Sequence, residues 1–457
     1  MHLTTTVKEL RCSANPFEAF LSIRAHFGSG CFLLESVEGI KKTARFSIIG
    51  FKPIFSFKAK GSGIEVMNGG REKFESKRPF DELRKQFSRF SAEKIPTLAF
   101  SGGMVGYLSY DAVRYFENLP SELQDDLDLP DMHFIIPESV ICFDHLHGKI
   151  YLISHGPADS GEIEKIMGQK HSAEFSLLKE RSDFPKEEFE AAVEKAKVHI
   201  KAGDIFQAVL SRRVSFDFEG DEALIYKILR RINPSPYLFY LDFGDSKIMG
   251  SSPEMLVRLE NGILTTRPIA GTRPRSEDVE EDEKLKIELL QDEKERAEHI
   301  MLVDLHRNDL GKVAAPGSVI VDELMGVEKY SHVQHIVSNV TAKLREGKDG
   351  FDALKACLPA GTVSGAPKIR AMELIEKFEK QRRGPYGGAV GYFDFSGNMD
   401  FAITIRSIIV SGKRAHLQAG AGIVYDSIPE REFQETEAKM RAMVEAIRGA
   451  SHEDIAD

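Results

Sequence analysis

Residues 237–260, YLFYLDFGDSKIMGSSPEMLVRLE, hold three β-rich runs, Tyr237 to Phe243, Lys247 to Ser251 and Met255 to Glu260. The breaks between them are too short for a crossover helix, so the runs belong to an antiparallel sheet. Upstream, KEEFEAAVEKAKVHIKAG after Pro185 reads as a helix, with proline near its start, acids in its first turn and Gly203 beyond its end. A strand follows from Ile205 to Phe216, and its alternation puts Gln207, Val209, Ser211 and Arg213 on one face. The N-terminal part is also sheet-rich, with runs at Cys31 to Leu34, Arg45 to Phe51 and Phe134 to Phe143 between Gly, Pro and Asp turns. The sequence HGPADSGEIEKIMG and the charged stretch after it mark a boundary at residue 185. The expected organisation is an N-terminal lobe over 1–185, a second lobe over 186–449 and a tail over 450–457.

A chain of 457 residues, 42% of them hydrophobic, exceeds the usual span of one hydrophobic core, so two intimately packed lobes are expected. The net charge of -10, with cations and acids interspersed, offers no basic stripe for nucleic acid. Cys12, Cys31, Cys142 and Cys357 have neither zinc-site nor redox-dithiol spacing and read as reduced thiols. The start MHLTTTVKELRCS lacks the apolar core of a signal peptide, and no run suits a membrane span, which points to the cytoplasm.

Two long helices are expected at Glu280 to Leu305 and at Pro429 to Arg448, the second entered by Asp426-Ser427 and closed by Gly449. Glu295 and Glu298 lie three apart on the first, and Glu432, Glu435 and Lys439 share a face of the second. Such faces are either solvated or meet over a cation. Flanking Ile300, Leu302, Val303, Phe433 and Met440 favour packed helices, whose buried carboxylates need a partner. Mg²⁺ suits such an all-oxygen set, completed by water and anionic substrate oxygens. PAGTVSGAPK, residues 359–368, reads as a Gly-Thr turn before a helix capped by Ser364 with Pro367 in its first turn. It is either an anion cradle or simply a well-capped helix start. His332 and His335 fall in a strand-like run, where a lone histidine is usually structural. GGMVGY (102–107) and GGAVGY (387–392) echo one another and hint at pseudo-symmetric strands in the two lobes. Phosphate loops, dinucleotide fingerprints, nucleophile elbows and HExxH helices are all missing.

The segments DIFQAVLSRR, NPSPYLFY, GSSPEMLVR, RPIAGTRPR, ERAEHIMLVDLHRNDLG, YSHVQHIVSNV, PAGTVSGAPKIRAMELI, RRGPYGGAVGYF, NMDFAITIRS, QAGAGIVYDS and FQETEAK fill nearly all of residues 200 to 445 in order. Together they resemble the chorismate-utilising enzymes, most closely the anthranilate-forming large subunits. The resemblance implies an α+β fold whose antiparallel sheets form a sandwich-like core with helices outside. It implies Mg²⁺ on Glu298 and Glu435, with Glu295 and Glu432 supporting the metal through water and Lys439 beside them. Thr362 and the main chain at Gly420, Ala421 and Gly422 would face the chorismate ring, with Gly271 and Thr272 nearby. Tyr386 and Arg406 would hold the enolpyruvyl carboxylate, Glu254 would act as general acid, and His335 would serve pyruvate elimination.

Within the family, water-adding relatives carry a lysine base where this chain has Gln207, and an amide cannot activate water, whereas ammonia needs no such base. Relatives that make aminodeoxychorismate, the alternative product, typically read PIKGT where this chain reads PIAGT, and Ala270 offers no nucleophile. The resemblance therefore implies amination of chorismate at C2 and loss of pyruvate to give anthranilate, with ammonia from a separate glutamine amidotransferase subunit. FLLES and NPSPY resemble the segments with which relatives bind tryptophan as feedback inhibitor, which implies a site at Leu34, Glu35, Ser36, Asn233, Pro236, Tyr237 and Leu238.

Overall fold

The computed structural model describes residues 1–36, 45–93, 95, 98, 100–330 and 333–451. His332, residues 37–44 directly after FLLES and most of the tail (452–457) lie outside the described residues.

Two antiparallel sheets pack face to face. The first runs, in spatial order, through Phe175–Ser182, Gln207–Gly220, Arg414–Ile423, Ser407–Ser411, Ser246–Ser252, Tyr237–Asp242 and Cys31–Glu35. It then reaches a pair of long strands, Phe46–Lys60 and Met132–Asp144. Their register shifts between Pro53 and Phe55, opposite Pro137, and Lys52 sits at φ 54. A bulge with proline at this point bends both strands, so the pair turns a corner into the second sheet. That sheet continues through Gly103–Leu108, Ala389–Asp394, Met399–Ile403, Met255–Glu260, Ile263–Thr266 and Val333–Lys343.

Apolar side chains from both sheets, among them Phe32, Ile48, Tyr107, Phe239, Ile248 and Val390, form the layer between them. Helices Pro16–Phe27, Ala223–Ile232 and Pro429–Ala450 cover the outer face of the first sheet. Pro79–Phe87, Glu293–Gly311 and Gly350–Cys357 cover the second. The α+β sandwich with helices outside is thus the observed fold. No helix among the described residues is long and apolar enough to cross a membrane.

The chain-local reading of 237–260 needs one correction. Tyr237–Asp242 and Ser246–Ser252 form a hairpin, but Met255–Glu260 pairs in the other sheet, with Met399–Ile403 and Ile263–Thr266. Pro253 cannot donate to a ladder, and the chain crosses between sheets there. The C-terminal half crosses likewise between Met399–Ile403 and Ser407–Ser411, where Arg406 takes φ 50. The two crossings are stitched together: Ile403 N donates to Glu254 O at 3.1 Å, Ser251 N to Arg406 O at 3.1 Å, and Ser252 Oγ to Ile403 O at 2.7 Å.

Cys31–Glu35 pairs with Tyr237–Asp242, and Gly103–Leu108 with Ala389–Asp394, so each sheet draws strands from both sides of residue 185. The two echoing GG-VGY segments are therefore direct neighbours, with Gly106 opposite Gly391.

Three helix expectations change. Asp292 ends Val279–Gln291 and caps Glu293–Gly311, accepting from the N–H groups of Lys294 and Glu295 at 3.1 Å, so one expected helix is two. Pro429–Ala450 has Ile428 at its N-cap and continues through Gly449. Ser364 caps nothing: its Oγ donates to Ala360 O at 2.7 Å, and Pro367 is the N-cap of Lys368–Phe378.

Candidate active site

The stitched crossings place Glu254 and Arg406 side by side at the seam of the sandwich. Glu254 is buried, and its Oε1 accepts from Thr362 Oγ1 at 3.0 Å. Burial pushes this carboxyl up to about 7, against the Thr362 hydrogen bond and the charges of Lys439 and Arg406. A group so tuned is a proton donor at neutral pH. Burial also lowers the Arg406 guanidinium, opposed by Tyr386, Glu435 and Glu254, but an arginine stays charged.

Thr362 is carried by the short helix Gly361–Ser364, which packs under Glu293–Gly311 because position 361 has no Cβ. One there would meet Leu305 Cδ1 at 2.7 Å. Tyr386 is buried, which raises its phenol to about 12 and keeps it a neutral donor. Its hydroxyl lies 3.2 Å from where a Cβ on Gly420 would stand. Gln207 covers Gly422, where a Cβ would come within 2.7 Å of the amide nitrogen. Its Oε1 is buried and has no hydrogen-bond partner among the described residues. Ala421, between the two glycines, turns its methyl into the apolar cluster of Leu210, Phe189 and Val193 behind the sheet, so only its main chain belongs to this face.

The two acidic helix faces lie close enough for their carboxylates to repel one another. Glu298 is half-buried and raised by desolvation and then by Glu295 and Glu435, with Lys439 and Lys294 opposing. Glu432 is buried and raised by desolvation, with Ser427 donating to it and Glu435 repelling it. Lys439 bridges Glu435 Oε1 at 2.6 Å and Gly420 O at 2.8 Å, tying the acidic helix to the strand Arg414–Ile423. Among the described residues no three Asp, Glu, His or Cys side chains already converge into a cage. Mutually repelling carboxylates in an open all-oxygen arrangement nevertheless fit Mg²⁺, which keeps several waters and takes oxygens from its substrate.

His335 stands on Val333–Lys343 beside Ile269–Pro274. Its Nδ1 lies 3.0 Å from Gly271 O and 3.0 Å from Thr272 Oγ1. A carbonyl can only accept, so Nδ1 carries the proton and Nε2 keeps its lone pair. Burial holds the imidazole below its ordinary value, Gly271 O opposes this, and Arg406 assists it.

Residues 30–445 match the family described as chorismate binding enzyme. The chain belongs to this family. Among curated relatives, anthranilate synthase component 1 of Acetivibrio thermocellus is 48% identical over 92% of this chain and 91% of its own length. The component 1 of Thermus thermophilus is 47% identical over 95% and 96%. The crystal structure of anthranilate synthase component I from Streptococcus pneumoniae superposes with a TM-score of 0.78 at 41% identity, covering 89% of this chain and 93% of that one. The menaquinone-specific isochorismate synthase of Escherichia coli, 20% identical with a TM-score of 0.74, shares the fold.

In this chorismate binding enzyme a cavity of about 360 Å³ opens between the sheets, apart from the residues around Glu254. Leu34, Glu35, Ser36, Pro236, Tyr237 and Leu238 all line it. Asn233 does not: its amide donates to Ser251 Oγ at 3.1 Å and braces the crossing. The Glu35 carboxylate is held by Arg230 at 2.7 and 3.1 Å and by the Tyr226 hydroxyl at 3.0 Å. Asp400, which sequence reasoning missed, also lines the cavity, paired with Arg258 at 2.6 Å and accepting from Tyr237 at 3.0 Å. Nothing in NMDFA distinguishes that aspartate from a turn residue.

Proposed function

We propose that this chain is the chorismate-converting component of a cytoplasmic anthranilate synthase, aminating chorismate at C2 with ammonia and releasing pyruvate. The observation that carries the amine reading is Gln207. It sits over Gly422 with an uncharged amide and an unpartnered buried Oε1, which can accept an N–H of ammonia but cannot deprotonate water.

Arg406 and Tyr386 offer a guanidinium and a phenol to the planar enolpyruvyl carboxylate. Glu254 hands its proton to the departing C4 hydroxyl. His335, neutral with Nε2 free, takes the C2 proton as pyruvate leaves. Glu298 and Glu435, with Glu295 and Glu432 behind them, would hold Mg²⁺, which supplies positive charge for the ring carboxylate. Lys439 keeps Glu435 in place.

Ammonium salts alone should support anthranilate formation at alkaline pH, where free NH₃ is abundant, whereas glutamine should work only once an amidotransferase subunit is added. Anthranilate fluorescence from the purified chain with chorismate and Mg²⁺ measures both. Release of isochorismate or of a retained aminodeoxychorismate overturns the assignment.

The cavity between the sheets is the tryptophan site in this proposal, with Pro236 and Tyr237 as a wall for the indole. Glu35, held by Arg230 and Tyr226, and Asp400, held by Arg258 and Tyr237, are the two carboxylates of the cavity, and either would meet the ammonium with its remaining lone pairs. Tryptophan should inhibit wild type, while Ser36→Phe, which fills the cavity, should raise the inhibitory concentration at least about tenfold, a coupling of roughly 1 to 3 kcal/mol being usual. Equal inhibition of both proteins removes the site.

A further inference from the structure

Arg383 is among the largest fully buried side chains of the described structure, and it lies just behind the candidate active site. Its guanidinium spends its donors on three elements at once. Nε and Nη2 donate to Glu379 at 2.9 and 2.5 Å, Nη1 to Val363 O at 2.6 Å, and Nη2 also to Val209 O at 2.7 Å. Val363 follows Thr362, the residue bonded to Glu254. Val209 lies opposite Gly422 and two residues after Gln207. The guanidinium carbon stands 5.9 Å from the ring centroid of Tyr386 and 4.4 Å from that of Tyr110. Glu379 extends the network, accepting from the Ser211 amide at 2.7 Å and hydroxyl at 2.8 Å.

We infer that Arg383, clamped by Glu379, is a positioning residue for the reaction: it fixes the main chain at Val363 and Val209, and through them the orientation of Thr362, Gln207 and Tyr386. The inference rests on the chorismate reading of the site. Stability alone is a weak reason for a buried ion pair, because a well-packed apolar pair often serves as well. The choice of acceptors is more telling. Apart from Glu379 itself, both are carbonyls of the segments that carry site side chains, and holding two carbonyls and a carboxylate together requires a planar fork that lysine lacks.

The test is a double-mutant cycle. Arg383→Lys keeps the charge and loses the fork, and kcat/KM should fall about 10- to 100-fold, the scale known for outer partners that orient metal ligands. Thr362→Val removes the hydroxyl that Arg383 is argued to place. If Arg383 acts through Thr362, the double variant loses little more than the worse single one. The pH profile gives a second readout. Glu254 faces Thr362, Lys439 and Arg406, and a loosened Thr362 stabilises its carboxylate less. The alkaline limb of kcat should therefore move upward in Arg383→Lys and stay put in Leu21→Ala, a core truncation in the helix Pro16–Phe27, which packs on Cys31–Glu35 and Phe46–Lys60. Glu379→Gln, of nearly the same shape, carries the same cycle should Arg383→Lys not be recovered folded. Multiplicative losses with an unmoved pH limb would overturn the inference. Wild-type turnover of chorismate is measured alongside, so failure of the underlying reading shows separately as no activity in any protein.

Discussion

Glu298→Gln and Glu435→Gln should each lower kcat by roughly 10³-fold or more, about 4 kcal/mol of transition-state stabilisation, without unfolding the protein. The reason lies in the charge balance at the seam. Glu298 is half-buried beside Glu295 and Glu435, and desolvation and those two charges both oppose its ionisation. Folding alone does not compensate this repulsion, so Glu298→Gln should leave thermal stability in metal-free buffer unchanged or slightly higher, whereas Glu435→Gln also gives up the half-exposed ion pair with Lys439, worth about 0–1 kcal/mol. A dication that binds only the folded state stabilises by mass action. Mg²⁺ should therefore raise the melting temperature of wild type and leave that of either variant almost still. The paired measurement is kcat together with melting temperature at rising Mg²⁺. A variant that keeps near-normal turnover, or that gains stability from Mg²⁺ as wild type does, removes these residues from the metal site.

Glu254→Gln should cost about 10² to 10⁴ in kcat, the range for a lost general acid. The pH dependence follows from the sign of its shift. Burial raises this carboxyl from 4.5 to about 7, so it carries its proton below that pH and loses it above. At fixed free NH₃, wild-type kcat should decline as pH rises through about 7, and the glutamine variant should lack that limb. Stability moves in the same window. A carboxyl raised on folding contributes stability that is present below its ordinary value of 4.5 and is lost by about pH 7, so the variant should gain on wild type between those values. A kcat profile that is flat across neutrality in wild type argues against Glu254 as the acid.

How far the sequence carries depends on the range of the interaction. Helical register brought Glu295, Glu298, Glu432, Glu435 and Lys439 into two acidic faces, because three- and four-residue spacing is enforced by the helix itself. That the two faces meet is a property of the sandwich, and only the family resemblance supplied it. The strand runs in 237–260 were legible from composition, but the departure of Met255–Glu260 into the other sheet was not. A proline and two short polar residues look the same at a hairpin as at a crossing, yet that crossing is what buries Glu254. Asp292 was readable in principle: an aspartate followed by acids in the next turn is an N-cap signal, and it was overlooked because the apolar pattern runs on across it. Arg383 had no local signal at all, since RRG does not say which arginine is buried.

The pairing of Gly103–Leu108 with Ala389–Asp394 has a consequence for biosynthesis. At about 5–20 residues per second, a ribosome needs on the order of tens of seconds after making the first strand to deliver its neighbour. Cys31–Glu35 waits similarly for Tyr237–Asp242. During that interval the nascent chain presents unsatisfied, apolar strand edges of the kind that recruit other chains. A nascent polypeptide released before residue 389 should therefore aggregate or be held by chaperones rather than fold as a smaller version of the protein. Yield in the cell should therefore fall when these edges are left unprotected before synthesis nears completion.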